Sequence, residues 1–394
     1  MNADNKQMNT DEKTKEAICV NPRSSAVSGG IGETETVSVQ EFHSTYHRVR
    51  EQLLRVVVGQ DRVVEHLLAA VFAGGHVLLK GAPGLGRTLL VQTLARVLGL
   101  EFRRIQFTPD LIPTDILGAE VLECSSAPLT PPSPPRGEGR VRGARRFRFF
   151  KGPVFANLVL ADEVNRSPSR TQNALLEAME ERQVTVGGST HFLPRPFTLI
   201  ATLNSRDTEG VFDLGEAQVD RFLMMIVQEY PSMADEKRMI LQTTGSRGVT
   251  IAPVAGPERI LAMQSLAREV PVAPSVRDFA LAVVRASRPG QADAAPNLKG
   301  LVRLGASPRA AQALLLTAKV IALARGRRHV AREDVIEVIE PVMAHRVLID
   351  FRAQAEGRDI RRVLADLTAE ARERALPRVS MWTRELLKGV ASDG

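Results

Sequence analysis

The chain has 394 residues, of which 44% are hydrophobic, 25% charged and only 4% aromatic; the length suits two domains with tails, and the scarcity of rings points to aliphatic helices packed on a sheet. Two cysteines, Cys19 and Cys124, exclude a disulfide framework and a thiolate metal site. The net charge of +7 is concentrated, because Arg136, Arg140, Arg142, Arg145, Arg146, Arg148 and Lys151 face a single acid, Glu138, so a nucleic-acid-binding face over the whole protein is not indicated.

Residues 1–40 are polar, with no apolar periodicity, and read as a disordered tail. They lack the pattern of a signal peptide, and no apolar run approaches the roughly 18 residues that span a bilayer; the expected compartment is the cytoplasm, with no membrane partner. From Glu41 the apolar spacing is helical. HVLLK (His76 to Lys80) then reads as a buried parallel strand, and FRRIQF (Phe102 to Phe107), NLVLAD (Asn157 to Asp162) and FTLIAT (Phe197 to Thr202) repeat the pattern with helical stretches between them. The fold class is therefore α/β, a parallel sheet with helices on both faces.

Between Cys124 and Phe147 the chain is dense in Pro, Gly, Ser and Arg. Its flanks, GAEVLE and RFRFF, have β-character, which places the 124–147 segment as an insertion at the tip of a hairpin. After Tyr230 helical patterns take over and predict a second, smaller all-helical domain over 233–348. Its clearest helix opens at Ser307-Pro308 and stops at Gly326. Residues 349–394 read as a helical tail.

Chemistry concentrates in four places. Gly81-Ala82-Pro83-Gly84-Leu85-Gly86-Arg87-Thr88 follows a strand and opens a helix at Leu89. Glycines let backbone N–H groups wrap a triphosphate, the helix N-terminus adds positive potential, and the Thr88 hydroxyl is suited to Mg²⁺. Arg87 stands where lysine is usual, and the two cations are not equivalent. Asp162 and Glu163 end an apolar strand, where one carboxylate can organise Mg²⁺ and the next orient water; an Asp-Glu pair there also suits a loop start. Asn204 ends another strand and could touch water or phosphate, or merely form a turn. Arg221 follows an acidic turn, as a finger into a neighbouring subunit or as a surface ion pair. His43 and His47 sit four apart without a further ligand and read as a solvated helix face.

In this order the four motifs resemble those of AAA+ ATPases, and the wording is close to the MoxR subfamily. The stretches that carry the likeness are VVVGQDRVVEHLLAAVFAGGHVLLKGAPGLGRT, FRRIQFTPDLIPTDILG, KGPVFANLVLADEVNRSPSRTQNALLEAMEERQVTV, ATLNSRDTEGVFDLGEAQVDRFLM and GASPRAAQALLLTAKVIALARGR. They begin at Val56 and end at Arg327, within a resemblance that covers roughly Val56 to Leu348.

The resemblance implies an AAA+ nucleotide domain over 41–232 and a lid over 233–348. It makes Gly81 to Thr88 the Walker A loop and Asp162 with Glu163 the Walker B pair, Glu163 being the catalytic carboxylate. Asn204 then matches sensor 1, Arg221 the arginine finger and Arg309 sensor 2. Gly59 and Gln60 fall where the family contacts adenine. ATP and Mg²⁺ are the implied cofactors, a ring of copies, usually six, the assembly, and a protein with a von Willebrand factor A domain the usual partner. The expected function is ATP-dependent, chaperone-like remodelling or maturation of that partner. Three departures bear on it: Arg87 for lysine, Leu203 and Ser205 where Gln and Pro usually flank Asn204, and the Pro-rich, Arg-rich extension that the family's inserted hairpin carries here. A nucleotide-binding regulatory module with little hydrolysis is the first alternative, and a nucleic-acid motor using the Arg136 to Lys151 segment the second.

Overall fold

Ser38 opens the first helix with a capping box: its hydroxyl accepts from the Glu41 backbone N–H at 3.2 Å, and the Glu41 carboxylate accepts from the Ser38 N–H at 2.7 Å. This is helix α1, Val39–Val56, in a computed structural model that describes residues 36–124, 145–204, 212–245 and 249–375. The expected N-terminal tail (all but its last few residues) and the tip of the insertion lie outside the described residues.

The first half of the chain continues through α2 (Asp61–Ala73), β1 (Val77–Gly81), α3 (Arg87–Val97), β2 (Phe102–Gln106), α4 (Pro113–Leu117), β3 (Gly118–Cys124), β4 (Arg145–Lys151), β5 (Leu158–Asp162), α5 (Ser169–Glu181), β6 (Gln183–Val186), β7 (Ser189–Phe192) and β8 (Thr198–Asn204). After α6 (Glu216–Val219) and β9 (Met224–Gln228), helices dominate: α7 (Met233–Thr244), α8 (Pro257–Glu269), α9 (Pro274–Ala286), then β10 (Val302–Leu304), α10 (Pro308–Ala324), α11 (Arg332–Met343), β11 (Leu348–Ile349), α12 (Phe351–Ala355) and α13 (Ile360–Ala375).

The main sheet is parallel throughout, in the order β2-β5-β8-β1-β9. Alternate residues of a strand point to opposite faces. Val77 and Leu79 accordingly join a core shared with α1, α2, α3 and the C-terminal helices, while Leu78 joins a second core beneath α5. Strands buried on both faces read as the unbroken apolar runs seen in the sequence. β9 escaped the sequence reading because MMIVQ follows a polar loop with no glycine boundary; it pairs with β1 at the sheet edge.

β3 and β4 form the antiparallel hairpin expected at the base of the insertion, in register from Gly118 with Lys151 to Cys124 with Arg145. A second hairpin, β6–β7, lies beside it, with Phe149 stacked on His191 at 3.9 Å between centroids. Phe147, Phe150 and Phe192 stay exposed on this surface.

Ser307 caps α10, with Pro308 at its first position. The α10 end falls at Ala324, with Gly326 in the left-handed region at φ 72°. Two expectations gain detail here. His47 is exposed and His43 half-buried, as expected of a helix face at the solvent, but the rings also make a contact: His43 Nδ1 and His47 Nε2 lie 2.7 and 2.9 Å from the Ala324 carbonyl and bind the α10 end to α1. The C-terminal helix α13 is packed against α9, burying Val363, Leu364, Leu367 and Ala371.

Candidate functional site

The phosphate loop follows β1 at the strand-end edge of the sheet, where β1 gives way to α3. Gly84 and Gly86 take φ values of 85° and 71°, a region costly for side chains, and no atom lies within 4 Å of where a Cβ would sit. Helix α3 opens on Gly86 with no side-chain cap, so its first N–H groups face open space ready for an anion. Leu85 is buried and anchors the loop, whereas Pro83 and Leu89 are exposed at its rim. This cradle fits a nucleotide phosphate chain.

Arg87, the first residue of α3, folds back on the loop. Its Nη2 donates to the Gly81 and Ala82 carbonyls, the latter at 3.1 Å, and its Nε donates to Gln228 Oε1 at 3.1 Å. Burial pulls its guanidinium below the ordinary arginine value, while the Asp162 and Glu163 charges act in the opposite direction. The cation therefore stays within the field of both carboxylates.

Asp162 ends β5, separated from β1 by β8 alone, about 10 Å at ordinary strand spacing. Thr202 of β8, fully buried, joins the two acids: its hydroxyl donates to Asp162 Oδ1 and accepts from the Glu163 N–H, both at 2.7 Å. Glu163 is held in the left-handed region at φ 58° and ψ 48°, a strained setting for a residue with a side chain. On the edge strand β2, Arg104 donates to Asp162 Oδ2 at 2.6 and 3.1 Å, and Gln106 donates to Glu163 Oε2 at 3.2 Å. The Thr88 hydroxyl and the Asp162 carboxylate are oxygen donors of the kind Mg²⁺ takes. Asn204 closes β8 in register with Gly81, and Ser205 lies outside the described residues.

Thr202, Arg104 and Gln106 were missed in the sequence. A hydroxyl at the end of the apolar run FTLIAT, two residues before Asn204, was the available signal for Thr202, since a buried hydroxyl needs partners; Arg104 and Gln106 carry no signal without knowing that β2 and β5 are neighbours.

Arg221 and Arg309 lie elsewhere. β1 and β9 start side by side, with the Leu223 N–H bonded to the His76 carbonyl at 2.8 Å. Arg221 just precedes β9, so it sits at the strand-start edge, about 16 Å from the phosphate loop along a five-residue strand. Arg309 joins it from the start of α10: Glu180 Oε1 accepts from Arg309 at 2.6 Å, and Glu180 Oε2 lies 3.2 Å from Arg221 Nε. Asp220 adds a second acid, 3.8 Å from Arg309 and 2.8 Å from buried Arg346. The two arginines thus form one pair, turned away from their own chain's phosphate loop.

Gly59 and Gln60 line a cavity of about 420 Å³ with Val227, Tyr230, Asp235 and Glu340. The Gln60 amide itself faces the phosphate loop and donates to the Leu85 carbonyl at 3.0 Å. Most of the Arg136 to Lys151 segment lies outside the described residues. No helix among the described residues is long and apolar enough to cross a membrane.

Residues 76–224 match the family profile of the ATPases associated with various cellular activities (AAA), and residues 297–367 match that of the AAA lid domain. The chain is 40% identical to Chaperone MoxR1 of Mycobacterium tuberculosis over 80% of its length and 78% of that protein. It is 32% identical to Protein MoxR of Methylorubrum extorquens, over 77% and 87% of the two chains. A crystal structure of a candidate ATPase from Cytophaga hutchinsonii superposes with a TM-score of 0.74 at 34% identity, covering 84% of this chain and 96% of that one. With its parallel sheet, glycine loop, paired carboxylates and helical lid, this chain belongs to the MoxR-type AAA+ ATPases.

Proposed function

We propose that the protein hydrolyses ATP with Mg²⁺ as a ring of its own copies, six by the family's habit, and uses the cycle to remodel or mature a partner protein. The observation that carries this reading is the separation just described. Loop and carboxylates gather at one edge of the sheet, and two arginines, held together by Glu180, gather at the other. A site that Arg221 and Arg309 of its own chain do not reach is completed by those of a neighbour.

Bound ATP supplies a phosphoanhydride bond whose cleavage builds negative charge on the terminal phosphate. The N–H groups from Gly84 to Thr88 and the Arg87 guanidinium hold phosphate oxygens. Thr88 and Asp162 hold Mg²⁺. Glu163, fixed through its backbone to Thr202, takes the proton of the attacking water, and Asn204 orients that water. Arg221 and Arg309 of a neighbouring copy stabilise the developing charge. The cavity at Gly59 and Gln60 receives the base.

Helix α7 supports assembly, because Met233, Ile240 and Leu241 are exposed along it, an apolar face that a second copy would cover. The paired hairpins, with exposed Phe147, Phe150 and Phe192, offer a surface for a partner, for which a protein bearing a von Willebrand factor A domain is the proposed class.

Phosphate release tests the proposal when Arg221→Ala and Glu163→Gln proteins are assayed singly and mixed. Each alone is expected to be inactive, and the mixture to regain activity, since Glu163→Gln subunits still lend Arg221 to intact carboxylates next door. An active Arg221→Ala protein, or a mixture as dead as its components, would refute catalysis across subunits. The competing reading, a regulatory module that binds ATP without turnover, is favoured by Arg87 in place of lysine. It would be established by tight binding, no phosphate release from the wild type, and a large gain in Arg87→Lys.

A further inference from the structure

Arginine at the lysine position of a phosphate loop raises a geometric question: a planar guanidinium on a longer stem must be aimed, where an ammonium on a flexible stem aims itself. The structure holds Arg87 by three of its donors. Nη2 donates both protons to the Gly81 and Ala82 carbonyls, and Nε donates to Gln228 Oε1 at 3.1 Å. Nη1 has no partner among the described residues, so its two protons are the ones left for phosphate oxygens.

Gln228 is itself fixed. Its Nε2 donates to Gln60 Oε1 at 2.8 Å, and Gln60 Nε2 donates in turn to the Leu85 carbonyl at 3.0 Å. Both glutamines are buried. Donor and acceptor are satisfied at every step, which orients each amide uniquely. The chain of bonds leaves the loop at Leu85, crosses the base of α2 and the end of β9, and returns to the loop through Arg87. The fit extends to Gly81, where a Cβ would lie 2.7 Å from the Gln228 carbonyl oxygen and 3.2 Å from Arg87 Nη2.

We propose that Gln228 is the positioning residue that lets Arg87 replace the phosphate-loop lysine: it fixes the guanidinium plane through Nε, and Gln60 locks Gln228 to the loop. The inference rests on the ATP reading above. Lysine has no counterpart of Nε, so Gln228 matters to phosphate binding only when residue 87 is arginine.

A double-mutant cycle reads this directly through the affinity for a fluorescent N-methylanthraniloyl ATP with Mg²⁺, independently of turnover. Four full-length proteins are titrated: wild type, Gln228→Met, Arg87→Lys, and the double variant. Loss of a hydrogen bond to a charged group is expected to weaken binding about tenfold for Gln228→Met in the arginine background, and by less than about twofold in the lysine background. Should Gln228→Met fail to fold, Gln228→Asn keeps the amide but withdraws its oxygen by about 1.5 Å, and the same contrast is expected. Equal losses in both backgrounds would mark Gln228 as a general support of the loop and overturn the inference while leaving the ATP reading intact. Binding by none of the folded proteins would overturn both.

Discussion

Replacing Asp220 by alanine should loosen the joint between the nucleotide domain and the lid. Asp220 precedes β9 and accepts from Arg346 Nε at 2.8 Å and from the Ser307 hydroxyl at 3.0 and 2.9 Å, so one carboxylate ties the sheet edge to the start of α10 and the end of α11. The Arg346 side chain is 3% exposed and Asp220 is 19% exposed. Burial draws the Arg346 guanidinium below its ordinary value, and Asp220 is what opposes this. Breaking a buried pair from one side costs about 3–5 kcal/mol. Arg346 keeps the carbonyls of Asp220, Phe222, Leu223 and Val342, which places the expectation at the low end, about 3 kcal/mol. For a chain of this size that is a fall in Tm of about 4 °C. Urea and thermal unfolding of Asp220→Ala and Asp220→Asn check it, the asparagine variant losing about half as much because shape and some hydrogen bonding remain. A loss below about 1 kcal/mol in the alanine variant would refute the claim that this ion pair joins the two parts.

Three further outcomes are expected. Thr202→Val removes the hydroxyl between Asp162 and the Glu163 N–H; it should lower stability by about 1–3 kcal/mol and phosphate release by about tenfold or more, with little change in nucleotide affinity, and unchanged turnover would discount Thr202 as the support of Glu163. Gly81→Ala, whose Cβ would meet the Gln228 carbonyl oxygen at 2.7 Å, should destabilise by about 1–3 kcal/mol, whereas Gly86→Ala, with open space but φ 71°, should cost only about 1 kcal/mol; melting temperatures in the reverse order would contradict the loop geometry. His76 is buried and its pKa is lowered to about 3, first by burial and then by Arg182. The unfolded chain therefore takes up a proton near pH 6.5 that the folded one refuses, so the stability His76 contributes is full above pH 6.5 and declines as pH falls toward 3, by about 2 kcal/mol between pH 6.5 and 5. His76→Gln should flatten the stability curve in that window by about one proton, and parallel curves for the two proteins would exclude the assignment.

Much of the molecule can be read from the amino-acid order because its signals are local. A strand buried on both faces has to be an apolar run, a loop that wraps phosphate has to contain glycines at left-handed positions, and a helix that begins at Ser307-Pro308 carries its cap in adjacent residues. Those rules locate β1, β5 and β8, the phosphate loop, the Asp162–Glu163 pair and α10 without coordinates; β2, expected with them, is an edge strand exposed at Arg103, Arg104 and Gln106. The hairpin flanking the insertion is legible for the same reason.

What the tertiary structure alone decides are relations between residues far apart in the chain. Gln228 lies 141 residues from Arg87, and β9, which carries it, has no glycine or proline to announce it. Arg104 and Gln106 become partners of the carboxylates only because β2 pairs with β5. His43 and His47 bind the end of α10 from 281 and 277 residues away. The placement of Arg309 beside Arg221, at the edge opposite the phosphate loop, depends on how the lid folds back on α1 and α2. Sequence specifies which groups are available and which local shapes they favour. Packing determines which of them meet, because hydrogen bonds and ion pairs across the sheet and the lid are set by strand order and helix docking, neither of which leaves a periodic trace in the residues concerned.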